Sequence, residues 1–114
     1  MNNMLKESVA ALLCYIIKID NKDIDRERPL FCRFMQQNFD NSCEDLTKLY
    51  YELLESDYNI DTHISIIANA LINKTYEKVS ILKQINYLII KDNPHTDDYD
   101  IFDKVKKAFG LYQD

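Results

Sequence analysis

Four carboxylates, Asp20, Asp23, Asp25 and Glu27, fall within the ten residues DNKDIDRERP, beside Lys22, Arg26 and Arg28. A second acidic stretch, KDNPHTDDYD, adds Asp92, Asp97 and Asp98. Oxygen donors at this density suit a hard cation: Ca²⁺ gathers several carboxylate and carbonyl oxygens, whereas Mg²⁺ keeps part of its water. Brought together, Asp20, Asp25, Glu27, Asp92, Asp97 and Asp98 would form one carboxylate-rich metal site, for Ca²⁺ or Mg²⁺ ahead of Zn²⁺. The competing reading is helix punctuation, with Asp25 and Asp97 as caps and the other acids favoured by the helix dipole. An EF-hand is excluded, because aligning Asp23, Asp25 and Glu27 as its first ligands puts Arg28 at the glycine position and Phe34 at the final glutamate. Arg26, Arg28 and Arg33 lie in or beside the first stretch and can neutralise its acids internally.

The remaining polar chemistry is sparse. His95 stands near Asp97 and Asp98, and Asp61-Thr62-His63 forms a second fragment, but neither has a metal-ligand spacing. Both histidines read as surface residues at helix starts. Cys14 and Cys32 fall in apolar segments and read as small buried hydrophobes. Cys43 opens a helix without a paired histidine or second cysteine in the sequence pattern. No Gly-rich phosphate loop, nucleophile elbow or HExxH is present, so no catalytic role is expected.

The elements that must position these groups are helices. One glycine and two prolines in 114 residues leave little material for tight turns. Leu5, Val9, Leu12, Leu13, Ile16 and Ile17 recur on one broad face of a first helix, about Leu5 to Ile19. A second runs from about Arg26 to Asn38, which makes DNKDID a connection and requires Pro29 to sit in the first turn. Ser42, with Asp45 three residues on, caps a third helix carrying Leu46, Leu49, Tyr50, Leu53 and Leu54. Asp61 or Thr62 caps a fourth with Ile64, Ile67, Ala68, Leu71 and Ile72 inward, and Thr75 a fifth with Val79, Leu82, Ile85, Leu88 and Ile89. Ile101, Phe102, Val105, Ala108 and Phe109 mark the last helix, and Gly110 stops it. The expectation is an all-α chain, one compact bundle of about six helices forming a single domain over residues 1–114. The acidic stretches, each between two apolar helices, form a weak internal repeat. Leu13, Ile17, Phe34, Leu82, Ile85 and Val105 are the predicted heart of the core.

The net charge of −5 disfavours nucleic acid and anionic membrane surfaces. The apolar run Val9–Ile17 is too short to span a bilayer, so no membrane insertion is expected. Three cysteines without a CxxC pair fit free thiols in a reducing cytoplasm.

The two acidic corners carry a family resemblance. Asp20-Asn21 through Asp25 and Glu27, then Asp92-Asn93 through Asp97 and Asp98, ending Ala108-Phe109-Gly110-Leu111, resemble the TerB-like helical domain family. The likeness spans nearly the whole chain. Asn replaces the family's frequent Gly in both turns, a change that left-handed backbone geometry tolerates. Pro94-His95 departs from the usual small apolar step. The resemblance implies a non-catalytic module with a divalent cation and protein partners, in a tellurite-resistance, stress-response or envelope-associated assembly. The alternative is a purely structural interaction domain with no metal site. Oligomeric state does not follow from either reading.

Overall fold

A computed structural model describes residues 3–19, 23–90 and 96–111; the side chains of residues 90 and 96–98 lie outside that description. Six α-helices follow in order: α1 (Asn3–Ile19), α2 (Ile24–Asn38), α3 (Cys43–Glu55), α4 (Ile60–Ala70), α5 (Thr75–Ile90) and α6 (Thr96–Ala108). No strand occurs among the described residues. The fold is all-α, as the apolar spacing predicts. Its radius of gyration is 13.2 Å, close to the roughly 13 Å of a compact domain this size.

Helix α1 is the hub. It packs against α2, α3, α4, α5 and α6, and Val9 through Cys14 are each no more than 1% exposed. The sequence predicts one broad apolar face, but Ala10, Ala11 and Cys14 extend burial round the helix because five neighbours surround it. A helix that is apolar on all sides belongs in an interior. All six predicted heart-of-core residues are buried. Ile72, predicted to face inward, is instead 59% exposed, because α4 ends at Ala70 and the chain turns through Leu71–Asn73. Asn73 takes a left-handed φ of 65° there, a conformation Asn accepts more readily than most residues.

Several helix starts shift by one to three residues, each for a local reason. Helix α2 begins at Ile24, because Asp23 is its N-cap: one carboxylate oxygen accepts from the Asp25 and Arg26 amides at 3.1 and 3.2 Å. Asp25 is therefore inside the helix and not its cap, and DNKDID is only in part a connection. Pro29 lies beyond the first turn, where it has no N–H to offer the Asp25 carbonyl. Helix α4 is capped by Asn59, whose side chain accepts from the Asp61 amide at 2.9 Å, and not by Asp61 or Thr62. Thr75 is the first residue inside α5, whose Lys78 amide reaches back to the Lys74 carbonyl at 3.1 Å. Ser42 caps α3 as predicted, accepting from the Asp45 amide.

The end of α6 matches its sequence signal closely. Gly110, at φ 73°, donates to the Lys107 carbonyl, and Leu111 donates to that of Lys106. This is a Schellman closure, which satisfies two otherwise orphaned helix carbonyls. Leu111 also packs back on the core.

Candidate functional site

The first acidic corner is built where α2 leaves Asp23 and α3 passes beside it. The pair Tyr50-Tyr51 on α3 grips the first turn of α2 at two points. Tyr50 is fully buried, and its hydroxyl donates to the Ile24 carbonyl. The Tyr51 hydroxyl donates to the Asp25 carboxylate at 2.8 Å. That bond raises the Tyr51 phenol above its ordinary value, because ionising it would place a second negative charge against Asp25. Burial, aided by Cys14, Glu27 and other nearby acidic groups, also raises Tyr50. Both tyrosines therefore stay neutral donors.

Glu27 is the unexpected member. It is 0% exposed, and its Oε1 lies 3.7 Å from the Arg26 Nε. An ionised carboxylate held out of water needs neighbours that repay its lost hydration. Sequence reasoning assigns Glu27 to a carboxylate-rich site or to the helix dipole, and in neither case to the interior. The helix period instead turns it inward, one step from Phe31, which is 2% exposed. Arg26 touching Glu27 is the internal neutralisation that the cluster of cations in DNKDIDRERP suggests.

Of the six residues assigned to a shared metal site, only Asp25 and Glu27 have described side chains. They differ in environment, Asp25 exposed on a tyrosine and Glu27 buried. Asp20 and Asp92 lie outside the described residues, as does His95. Helix α6 opens at Thr96, which places Asp97 and Asp98 in its first turn and not at its cap; their side chains lie outside the description. No group of three or more metal-ligating side chains occurs among the described residues.

His63, near the start of α4, is half-buried and not fully at the surface. Its Nδ1 lies 3.0 Å from the hydroxyl of Ser8, itself 1% exposed, and its ring meets Tyr58 edge-on at 5.3 Å. Burial lowers its pKa, with Glu7 pulling the other way. The Ser8–His63 pair links α1 to α4 inside their contact, where no substrate reaches the hydroxyl. Asp61, beside it in sequence, is taken by Lys104 at 2.9 Å. Tyr58 donates to the Ala11 carbonyl at 2.8 Å, while Lys18 lies 4.6 Å over its ring. Cys14 is buried with its Sγ 3.9 Å from the Tyr50 carbonyl, and burial pushes its thiol up to about 12. It is inert.

An apolar recess of about 60 Å³ opens between the start of α1, the end of α2 and the α4–α5 turn. Leu5, Val9, Phe34 and Leu71 line it, with Lys74 and Glu77 on its polar side. A recess of that size is suited to the tip of an apolar side chain. Close by in sequence, Ile72 is 59% and Tyr76 83% exposed. The sequence gives no signal for this recess, since it depends on how three separate segments end.

Comparison with protein-family models, curated proteins and solved structures finds no match for this chain. The TerB-like resemblance accordingly rests on the two corner patterns and the Gly110-Leu111 ending.

Proposed function

We propose that this chain is a non-catalytic helical module that holds a protein partner in the cytoplasm. The observation that carries this reading is the pair Ile72 and Tyr76, large side chains exposed on the same α4–α5 connection and first turn of α5 that supply Leu71, Lys74 and Glu77 to an apolar recess. Exposed large apolar side chains on one short segment favour contact with another protein, and a small apolar recess can take an anchor residue. The described polar groups fit this picture, because most of them serve helix ends and helix contacts. Asp23 caps α2, Asp25 holds Tyr51, and Ser8 holds His63. The TerB-like resemblance suggests the setting, a tellurite-resistance, stress-response or envelope-associated assembly. The test is co-purification from the native host with Ile72→Asp, Tyr76→Asp and Asp25→Asn variants. A partner lost with the first two and kept with the third supports the reading. A partner set that none of the three alters defeats it.

A second reading rests on Glu27, a fully buried carboxylate at an acid-rich corner. Such a group would suit a hard divalent cation completed by oxygens of the adjoining turn, with Asp20, Asp92, Asp97 and Asp98 as further donors. Ca²⁺, Mg²⁺, Mn²⁺ and Zn²⁺ are titrated separately into chelator-treated protein while thermal stability is recorded. Binding to the folded state alone must raise the midpoint with free ion. A rise abolished in the Asp20→Asn, Asp92→Asn double variant supports the shared site, and no rise at millimolar ion leaves the partner reading alone.

A further inference from the structure

The packing of α2 against α3 brings together two cysteines eleven residues apart in the chain. Cys32, 4% exposed on α2, has its Sγ 3.7 Å from the Thr47 hydroxyl and 4.0 Å from the Cys43 carbonyl oxygen. The Sγ of Cys43, an exposed thiol on the first residue of α3, lies 4.0 Å from that same hydroxyl. Thr47 gives its single hydroxyl proton to the Cys43 carbonyl, at 2.7 Å. Its oxygen is then left as an acceptor, and both thiols converge on it.

We propose that Cys32 and Cys43 form a peroxide-sensitive dithiol, oxidised reversibly to a disulfide that ties α2 to the first turn of α3. The two thiols are suited to different steps. Cys43 is exposed and meets the oxidant. Cys32 is sheltered, and burial followed by the neighbouring Cys43 thiol holds it above the ordinary thiol range, with Thr47 and Arg28 acting the other way. The Cys43 thiolate attacks one oxygen of a hydroperoxide, breaking the O–O bond. Sulfenic acid forms on Cys43, and the other oxygen leaves as water or alcohol after taking up a proton. The Cys32 sulfur then attacks the Cys43 sulfur, the S–O bond breaks, and the departing hydroxyl leaves with the Cys32 proton as water. The peroxide accepts two electrons, and the two sulfurs supply them. Cys14 takes no part, since it is buried against α3 beside the Tyr50 carbonyl.

The experiment treats the reduced full-length chain with hydrogen peroxide, followed by alkylation and non-reducing peptide mapping. The expected product is an intramolecular Cys32–Cys43 linkage, with a whole-chain mass lower by two hydrogens and reversed by dithiothreitol. Cys43→Ser should abolish the linkage and leave the Cys32 thiol alkylatable after unfolding. Cys32→Ser should stall oxidation at a Cys43 sulfenic acid that dimedone traps. The proposal is overturned if wild-type Cys43 is itself trapped or over-oxidised while Cys32 remains a free thiol. A linkage that joins Cys43 residues of two chains overturns it as well. These readouts use the wild-type chain, so they hold even if Cys32→Ser does not fold.

Discussion

Replacing Tyr50 with Phe isolates the hydroxyl that fastens α3 to the start of α2. The ring stays, and with it the contacts to Phe31 at 4.9 Å and Tyr51 at 5.3 Å. What is lost is the bond to the Ile24 carbonyl. That carbonyl follows Asp23, whose own carbonyl takes the first bond of the helical ladder, and has the Arg28 amide, four residues on, as its regular partner. It is not orphaned, so the cost should be that of an ordinary net hydrogen bond, about 1 kcal/mol. In a chain of this length that lowers the midpoint of thermal unfolding by roughly 3–6 °C. Tyr50→Ala, by contrast, empties a fully buried aromatic site and should cost about 3–5 kcal/mol. Urea unfolding followed by far-ultraviolet circular dichroism measures both. Amide exchange adds the location, since Tyr50→Phe should speed exchange in the first turn of α2 before it affects the centre of α1. Wild-type stability in Tyr50→Phe would refute the clamp. A loss as large as that of Tyr50→Ala would refute the accounting, because the hydroxyl would then belong to a wider buried network.

Other perturbations test separate parts of the same fold. Leu13→Ala, at the 1% exposed centre of α1, should cost about 2–5 kcal/mol by denaturant unfolding, through lost transfer energy and the cavity left behind. Gly110→Ala meets no atom within 4 Å but must hold φ 73°, so its cost should be about 1 kcal/mol of pure backbone strain, read by thermal unfolding. His63 has a folded pKa below its unfolded value of about 6.5. The unfolded chain therefore binds more protons between those two values, and stability should fall as pH drops through that window, with His63→Gln flattening the dependence in pH-resolved urea titrations. Lys18 donates to the Leu53 and Ser56 carbonyls at the end of α3 and lies over the Tyr58 ring; Lys18→Met keeps the stem and should lose about 1–2 kcal/mol of dipole and cation–π stabilisation in denaturant unfolding.

The helices were legible because burial imposes a period on the chain, and the period survives in Leu5, Val9, Leu12 and Ile16 or in Ile64 and Ile67. Their partners were not. Ala10, Ala11 and Cys14 carry too little apolar surface to announce that α1 is surrounded, yet small side chains are what allow neighbouring helices close approach. The same limit applies to the corner. From the sequence, Asp23, Asp25 and Glu27 are three acids near a helix start, with Asp25 read as the cap. The fold separates them, because helix geometry gives each a different direction. Asp23, just ahead of the first turn, bends back onto free amides; Asp25 points out to Tyr51; Glu27 points in. A shift of two residues in the helix start would exchange these roles, and such shifts lie within the ambiguity of capping signals. The Cys32–Cys43 juxtaposition is harder still to read, since it depends on the α2–α3 connection folding back until the first residue of one helix lies against the middle of the other. Around α1, polar groups at the helix ends find partners on neighbouring helices, α1 included. Tyr50 and Tyr51 do this for the start of α2, Lys18 for the end of α3, and Lys78 for the Phe109 carbonyl after α6. Each of these bonds joins residues at least 26 positions apart in the chain. A local pattern can therefore place the acids on a turn, but only the packing around α1 decides which of them still face solvent.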